Sequence, residues 1–315
     1  MKVAVLGTWH VHAPQYTKVA LNLGEVVGVY EENAEWRAEF AKNHNIREFE
    51  SVDELLNSDC EGVIVCASTN KHVDLIIAAA NAGKHVFTEK VLALTVEDCL
   101  RVKEAVERNG VNFVISYPWK TAPMIMTLKK AVDDGLVGKI NYLRFRNCHG
   151  GSVAHWLPAH FYNAKECGGG AMIDLGAHGM YLTHWFLGEP LTYTSTFTHA
   201  CRDEIDAKLN PDGIEDNAVT VMSFDNGAIA VNETGFVSYG CPLVLEIGGD
   251  KGYLTATCGS AKYVPESGAP VMLELLQKTK TPLECFLTET HIDGCGIDEA
   301  VVLTKMMVGA YKNIK

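Results

Sequence analysis

The first 119 residues alternate short apolar runs with amphipathic segments of helical length, and this alternation limits the folds open to the chain. The predicted strands are 2–6, 26–30, 62–66, 85–88 and 112–116. The predicted helices are 13–23, 34–43, 72–82 and 95–109, and a capping box at Ser51–Glu54 opens a further one. Strands separated by helices of about ten to fifteen residues predict an α/β fold with a doubly wound parallel sheet.

The pattern changes from residue 120 onward. A helix at 123–133, a strand at 139–146, a loop at 147–167 and a helix at about 170–187 precede predicted strands at 191–198, 216–224, 227–236, 242–247 and 252–257. Runs of strands with few helices predict an α+β domain with a large, mostly antiparallel open sheet. We therefore predict two domains, 1–119 and 120–315, with a helix at about 297–314 that packs back on the first.

Composition narrows the class of protein. The net charge of −12, from 27 Lys+Arg against 39 Asp+Glu, argues against nucleic acid or an anionic membrane surface as partner. No apolar run reaches the roughly 18 residues of a membrane-spanning helix, and the N-terminus suits a buried strand better than a signal peptide. The ten cysteines form no C-x-x-C pair and suit a reducing compartment. We expect a cytoplasmic protein.

The first strand, helix and second strand have the order of a dinucleotide-binding βαβ unit. Gly7 ends the first strand, and Glu31 follows the second, 24 residues later (31 − 7). An acid at about this distance hydrogen-bonds the adenosine ribose in such folds. Since no Lys or Arg lies between Tyr30 and Trp36 to neutralise a 2′-phosphate, the sequence favours NAD over NADP.

The glycine turn departs from the G-x-G-x-x-G fingerprint, because Trp9 and His12 replace its second and third glycines. The backbone N–H groups of the turn can still bind phosphate, since they need no particular side chain. The turn residues assigned to the cofactor are Gly7, Thr8, Trp9 and His10. His10 and His12 could offer two metal ligands, but no third ligand is near in sequence. We therefore predict no metal site, with one histidine capping the helix or packing on the neighbouring domain.

Ligands of doubly wound sheets bind at the carboxyl ends of the strands. The segments predicted there, and expected to face one crevice, are Gly7–His12, Glu31, Ala67–His72, Glu89-Lys90 and Tyr117–Trp119. Lys90 can donate to a substrate hydroxyl and stabilise a developing alkoxide. The alternative is a solvated lysine paired with Glu89.

The stretch GGGAMIDLGAHGMYLTHW, residues 168–185, contains Asp174 and His178 four residues apart. If this stretch is helical, the carboxylate and the imidazole lie on one face, as a general acid–base pair requires. The alternative is a helix whose polar residues merely fall at this spacing.

Two longer motifs resemble those of the Gfo/Idh/MocA family of NAD(P)-dependent oxidoreductases. CASTNKHVDLIIAAANAGKHVFTEK at 66–90 resembles the family's T-P-N-x-x-H segment leading to G-K-H-V-x-x-E-K-P, and GGGAMIDLGAH at 168–178 resembles G-G-G-x-x-x-D-x-G-x-H. Weaker matches occur at 136–140, 214–230 and 245–254. The chain departs from the family at the glycine turn, at Ser68 to Asn70 and at Val91, which replaces a proline.

The resemblance implies roles for individual residues. Lys90, Asp174 and His178 fall on the family's catalytic residues, and Glu31 on its ribose-binding acid. The remaining cofactor residues that it implies are Ser68, Thr69, Asn70, His72 and Glu89.

Substrate-binding residues are expected after the fifth strand and in the loop 147–167, which is rich in His, Trp and Tyr. They are Tyr117, Trp119, His155, Trp156 and His160. Aromatic platforms and neutral hydrogen-bonding groups of this kind hold hydroxyl-rich ligands, although loop aromatics can also simply anchor a loop.

The sequence thus predicts an oxidoreductase that transfers a hydride between NAD and a secondary alcohol or ketone of a sugar, cyclitol or sugar derivative. Two alternatives stay open: a redox-neutral lyase or glycoside hydrolase that oxidises its substrate transiently, and a non-catalytic cofactor or sugar sensor. By analogy with related proteins, the open sheet is expected to form a homodimer or homotetramer interface.

Overall fold

A computed structural model describes residues 1–240 and 242–314. The chain forms two compact units: Met1–Ser116 with Lys280–Thr304, and Tyr117–Thr279 with the chain from Lys305 onward. Residues 280–304, which the sequence placed in the second domain, thus belong to the first unit. They are held there by the backbone N–H of Ile115, which donates to the Cys295 carbonyl at 2.9 Å, and by Thr304, whose hydroxyl donates to the Ala93 carbonyl at 3.3 Å.

The first unit contains the predicted doubly wound parallel sheet. Its strands are β1 (Lys2–Leu6), β2 (Glu25–Tyr30), β3 (Gly62–Val65), β4 (His85–Thr88) and β5 (Phe113–Ile115). Their order is β2-β1-β3-β4-β5, and all pairs are parallel. The order reverses direction between β1 and β3, which is the point where such sheets bind ligands. β3 and β5 are buried along their whole length, as expected of strands covered by helices on both faces.

Five helices connect or flank these strands. They are α1 (Ala13–Leu23), α2 (Ala34–His44), α3 (Val52–Leu56), α4 (Thr69–Asn81) and α5 (Val96–Asn109). Their ends have the expected chemistry: the Thr95 hydroxyl accepts from the Asp98 N–H at the start of α5, and Gly110 ends it in the left-handed conformation. The predicted capping box at α3 is half formed, because Ser51 caps the Glu54 N–H but the Glu54 carboxylate accepts from Glu50 instead.

The second unit contains an open sheet of eight strands. They are β6 (Ile140–Cys148), β7 (Thr192–Thr198), β8 (Asn217–Ser223), β9 (Ile229–Gly235), β10 (Val244–Gly249), β11 (Gly252–Thr257), β12 (Ser260–Pro265) and β13 (Val271–Leu273). Their order is β13-β12-β11-β10-β6-β9-β8-β7. Only the β6–β9 pair is parallel, which confirms the mostly antiparallel prediction. β12 and β13 were not predicted from the sequence.

One face of this sheet is covered by helices and the other is open. The helices of the second unit are α6 (Pro123–Asp133), α7 (Ala164–Cys167), α8 (Ala177–Leu187) and α9 (Asp206–Leu209), with 3-10 turns at Pro118–Thr121 and Ala159–Tyr162 and a π-helical turn at Met172–Gly176. β8 alternates exposed and buried residues, as expected of a strand with one solvated face. Asn232 on β9 donates to the Gly176 carbonyl at 2.7 Å and so ties the sheet to the start of α8.

The C-terminal part of the chain adds α10 (Pro282–Leu287) and α11 (Ile297–Lys312). α10 was not predicted from the sequence, although Thr281 and Glu284 form a complete capping box at its start. The first half of α11 belongs to the first unit and the second half to the second unit.

Candidate active site

The turn after β1 requires glycine at position 7. Gly7 has a φ of +82°, and a Cβ there would lie 2.5 Å from the Ala67 Cα. The turn is held by two backbone bonds: Gly7 N–H donates to the Tyr30 carbonyl at 2.8 Å, and His10 N–H to the Cys66 carbonyl at 2.9 Å. The turn therefore packs directly on the carboxyl ends of β2 and β3.

A cavity of about 280 Å³ opens beside this turn in the first unit. Five of the residues predicted to bind the cofactor line it: Gly7, Trp9, Glu31, Ser68 and Asn70. Its volume is near the lower end, about 300 Å³, of small-molecule pockets. The cavity thus has room for part of a dinucleotide, on the side that carries the predicted ribose acid.

The Glu31 carboxylate is fixed at the edge of this cavity. One oxygen accepts from the Thr8 N–H at 2.7 Å and from its hydroxyl at 3.2 Å, and the other accepts from the Asn33 N–H at 3.1 Å. Thr8 therefore acts through Glu31. A carboxylate has about four acceptor positions, so at least one remains for a ribose hydroxyl.

Of the predicted cofactor residues in the segment after β3, Ser68 and Asn70 line the cavity. Ser68 precedes α4, and its hydroxyl donates to the Asn70 side-chain oxygen at 2.7 Å. Thr69 is buried. His72 is also buried, and its two ring nitrogens lie 3.0 Å from the Ala67 carbonyl and 3.1 Å from the Val91 carbonyl. Burial lowers the pKa of His72. This histidine therefore joins the segments after β3 and β4, and its place at the cofactor stays a prediction.

Glu89, just after β4, is the centre of a buried polar group. Its Oε1 lies 2.8 Å from Nδ1 of His12 and 3.7 Å from Nδ1 of His10, and it accepts a short hydrogen bond from Tyr16. Burial would raise the pKa of Glu89, but the two imidazoles outweigh it and hold that pKa well below its usual range. Burial and the Glu89 charge raise the pKa of Tyr16 well above normal.

This arrangement corrects the expected role of the two histidines. His12 stands at the N-cap of α1 but makes no side-chain capping bond, because its ring is directed to Glu89. The His10 ring instead accepts from the His12 backbone N–H at 3.2 Å. Lys90 is buried next to this group, and its backbone N–H donates to the second Glu89 oxygen at 3.2 Å. The Lys90–Val91 peptide bond is cis.

In the second unit, Asp174 and His178 do not share one continuous α-helix. Asp174 lies in the π-helical turn Met172–Gly176, and His178 lies in the first turn of α8. The stretch is thus helical from Met172 to Leu187, but the four-residue spacing of Asp174 and His178 spans the junction of a π-helical turn and an α-helix. Such turns occur often at functional sites.

The π-helical turn is anchored by Glu215. One Glu215 carboxylate oxygen accepts from the backbone N–H groups of Gly170 and Met172, at 2.8 and 3.2 Å, and from the Tyr311 hydroxyl. A Cβ at Gly169 would overlap Tyr311, and one at Gly170 would overlap the Glu215 carbonyl. Gly169 and Gly170 are thus required by Tyr311 and Glu215.

His178 is buried in an aromatic cluster that contains two predicted substrate residues. Its Nδ1 lies 3.0 Å from the Tyr181 hydroxyl, which accepts from the Trp119 backbone N–H at 3.2 Å. The Tyr181 ring stacks on Tyr117 at 4.2 Å, and the Trp119 ring stands edge-on to His178 at 6.4 Å. Tyr181 was not predicted from the sequence, although its spacing of three residues from His178 on a helix was a usable signal.

The three predicted substrate residues of the loop 147–167 each contact a different neighbour. His155 has a left-handed backbone and pairs with Asp203 at 3.1 Å. His160 packs on Phe161, and the exposed Trp156 packs on the ring of His149.

His149 belongs to the same histidine-rich loop. Its ring stacks on Phe236 at 4.9 Å and accepts from the Gly151 N–H at 3.1 Å. Burial lowers the pKa of His149, and the negative charge of Asp174 acts in the opposite direction. His149 is therefore an imidazole within the electrostatic reach of Asp174.

Known proteins resemble this chain over both units. 1,5-Anhydro-D-fructose reductase from Ensifer adhaerens is 27% identical over 237 residues, which cover 73% of this chain and 68% of the reductase. Myo-inositol 2-dehydrogenase from Thermotoga maritima is 29% identical over 197 residues, covering 62% of this chain and 56% of the dehydrogenase, little more than half of that relative. Among solved structures, UDP-N-acetylglucosamine 3-dehydrogenase from Acidithiobacillus ferrooxidans has the same fold, with a TM-score of 0.82 at 20% identity, covering 100% of this chain and 97% of that one.

Two family descriptions match most of the sequence. Residues 1–117 match an oxidoreductase family with an NAD-binding Rossmann fold, and residues 125–255 match the Gfo/Idh/MocA C-terminal domain. Within residues 1–240 and 242–314, no helix combines the length and apolar character needed to cross a membrane. The chain belongs to the Gfo/Idh/MocA family of oxidoreductases.

Proposed function

We propose that the protein transfers a hydride between NAD and a secondary alcohol or ketone of a sugar, cyclitol or sugar derivative. The observation that carries this proposal is the fixed Glu31 carboxylate beside the Gly7 turn, at the edge of a cavity in the Rossmann unit. The two curated relatives, a reductase of an anhydrosugar and a dehydrogenase of an inositol, support the substrate class.

Gly7, Glu31, Ser68 and Asn70 would hold the cofactor, with backbone N–H groups of the turn available for its phosphates. When bound, NAD supplies the hydride acceptor. NAD is favoured over NADP because a 2′-phosphate would meet the Glu31 charge.

The two basic side chains near the Glu31 backbone are already engaged. The Arg37 guanidinium bonds the Glu31 carbonyl at 2.9 Å and pairs with Glu50 at 3.0 Å, and Lys71 is paired with Glu32. The Arg37 guanidinium is thus occupied by Glu31 and Glu50, and the Lys71 ammonium, which lines the cavity, is paired with an exposed acid.

We assign proton transfer to His178. An imidazole that takes a proton at Nε2 needs its Nδ1 oriented, and the Tyr181 hydroxyl at 3.0 Å supplies a partner for Nδ1. Asp174 lies three residues before Ala177, at the start of α8. We assign it to balancing the positive charge of the protonated His178 imidazole. Lys90 is assigned to stabilising the alkoxide that develops on the substrate.

Aromatic side chains support a hydroxyl-rich substrate. Trp119 and Tyr117 adjoin His178, and Trp156 with His149 offers a second aromatic surface in the same unit. Rings of this kind pack against the apolar faces of sugars and cyclitols, while neighbouring polar atoms bind their hydroxyls.

The open face of the eight-stranded sheet is proposed as the interface of a homodimer or homotetramer. Val219 and Val221 on β8 are 38% and 39% exposed, and Ile229 on the adjacent β9 is 47% exposed. Exposed apolar side chains on neighbouring strands are typical of association surfaces. Light scattering should show an oligomer that Val221→Glu dissociates and that Leu100→Glu, on an exposed helix of the other unit, leaves intact.

A thermal-shift comparison of NAD, NADH, NADP and NADPH tests the cofactor assignment. A ligand at about 100 times its dissociation constant should stabilise the fold by about 2.7 kcal/mol. We expect NAD and NADH to raise the melting temperature more than their phosphorylated counterparts. The absence of a shift with all four would remove the basis of the proposed reaction, and a larger shift with NADP would overturn the role of Glu31.

A further inference from the structure

The structure brings together three side chains that metal sites commonly use, His10, His12 and Glu89. Their candidate ligand atoms all lie within 4.8 Å of one another. Glu89 Oε1 is 2.8 Å from Nδ1 of His12 and 3.7 Å from Nδ1 of His10. No metal was predicted from the sequence, because no third ligand lies near the two histidines along the chain. The fold supplies one, 77 residues after His12.

These separations suit one bound ion. Zinc bonds to imidazole nitrogen and carboxylate oxygen are about 2.0–2.2 Å long, so two ligands of one ion at tetrahedral or right angles lie about 3–3.5 Å apart. The two measured separations bracket this range. To bind the ion, the His10 imidazole must give up the bond that its Nδ1 accepts from the His12 backbone N–H, and the two imidazoles must rotate slightly.

The surroundings of Glu89 resemble the outer shell of a metal site. Its Oε1 accepts from the Tyr16 hydroxyl, and that hydroxyl lies 2.8 Å from the Ser116 hydroxyl. Ligating carboxylates are usually held by such hydrogen bonds, which fix their orientation. The His12 side chain is 39% exposed whereas Glu89 is 1% exposed, so an ion could enter from the solvent at His12 and reach a carboxylate shielded from water.

We propose that His10, His12 and Glu89 bind a divalent transition metal ion. Two imidazoles and one carboxylate are a ligand set of zinc and of non-haem iron(II), and are softer than the all-oxygen sets of magnesium and calcium. Three protein ligands leave at least one coordination position for water or another oxygen ligand. The site goes beyond the proposed dehydrogenase function and does not depend on it.

A second group of possible ligands, His199, Asp206 and Asp216, provides an internal comparison. Both Asp216 oxygens already accept backbone N–H groups, from Ala200 and from Cys201, at 2.8 Å each. The His199 ring is 2.6 Å from Asp206. We interpret this group as a structural anchor of its loop, and His199→Ala is therefore the matched control.

The test uses the full chain after a chelator has removed bound metal. Co²⁺ alone is titrated into this protein while visible absorption is monitored, and Zn²⁺ is then added as a competitor. We expect one Co²⁺ per chain, displaced by one Zn²⁺. Glu89→Gln and the double variant H10A/H12A should lose this stoichiometric uptake, and Tyr16→Phe should weaken it by about 10–100-fold. His199→Ala should bind as the wild type does. Circular dichroism of each variant checks that it is folded, and the conservative Glu89→Gln keeps the test usable if the double variant does not fold.

Several results would overturn the site. They are the absence of stoichiometric Co²⁺ uptake in the wild type, a loss of uptake caused by His199→Ala alone, and equal uptake by H10A/H12A, which would mean an adventitious ion only. NAD binding is measured separately on the metal-free chain, so failure of the metal site and failure of the proposed function are distinguishable.

Discussion

The Tyr181 hydroxyl lies 3.0 Å from Nδ1 of His178, one helical turn further along α8. The same hydroxyl accepts from the Trp119 backbone N–H at 3.2 Å. It therefore links the imidazole to the segment that carries two predicted substrate residues, and Tyr181 is a positioning residue for His178.

Tyr181→Phe should lower kcat about tenfold with little change in KM. This loss is smaller than the roughly 10²–10⁴-fold contribution of acid–base catalysis, because the imidazole itself remains. If His178 gains its proton at Nε2, Nδ1–H donates to Tyr181, and loss of that acceptor destabilises the imidazolium. The pH profile should therefore move to lower pH. Tyr162→Phe, which removes another buried hydroxyl, hydrogen-bonded to Ser152, is the control and should leave the profile in place.

Gly7→Ala should destabilise the protein by at least about 2 kcal/mol, because it combines a left-handed backbone with overlap on Ala67. Gly83→Ala is the matched control: Gly83 also has a positive φ, +71°, but a Cβ there meets nothing within 4 Å. We expect that control to cost about 1 kcal/mol. Urea denaturation of both variants measures the difference, and equal losses would argue against close packing at the turn.

Glu31→Gln should weaken NAD binding about 10–100-fold, the effect of losing a hydrogen bond to a charged group, about 1.5–3 kcal/mol. Binding of NADP should weaken less or improve, because the repulsion of its 2′-phosphate is removed. Calorimetric titration with both cofactors gives the ratio of the affinity for NAD to the affinity for NADP. Glu35→Gln, on the exposed first turn of α2, should change neither affinity, and an unchanged ratio in Glu31→Gln would exclude the ribose contact.

Glu215 predicts a pH dependence of stability. Burial raises its pKa above the usual value, so the folded state binds a proton more readily than the unfolded state. Stability should therefore fall as pH rises from the ordinary glutamate value through the raised folded value. Glu215→Gln can keep the acceptor oxygen that serves Gly170 and Met172, and should flatten this slope. Urea denaturation at mildly acidic and neutral pH measures it; Glu204→Gln, at an exposed position, should retain the wild-type slope.

The parts of the fold set by local pattern could be predicted from the sequence. β1 and α1 were predicted with the bounds that the structure has, since an apolar run, a glycine and a proline mark their ends. β13 is exposed and only three residues long, so it carries no alternation to read.

The site was less accessible to prediction because its contacts join distant residues. The ring of His12 bonds a carboxylate 77 positions away, and Glu215 holds the π-helical turn from 43 positions beyond Met172. Hydrophobic periodicity shows which face of a helix or strand is buried, but it does not show which residues elsewhere in the chain contact that face. The π-helical turn itself depends on such a partner, so an i, i+4 argument across Asp174 and His178 could not anticipate it.

Formation of NADH with a panel of sugars and cyclitols tests the central claim most directly. The wild type should form NADH in equal amount to ketone product with at least one polyol. His178→Asn and Lys90→Met should lose turnover by about 10²–10⁴-fold while keeping the NAD-induced thermal shift, and the double variant should be no worse than the poorer single one if both act in the same step. Product formed without net NADH would point to the redox-neutral lyase or hydrolase instead. Near wild-type turnover in His178→Asn would contradict the account.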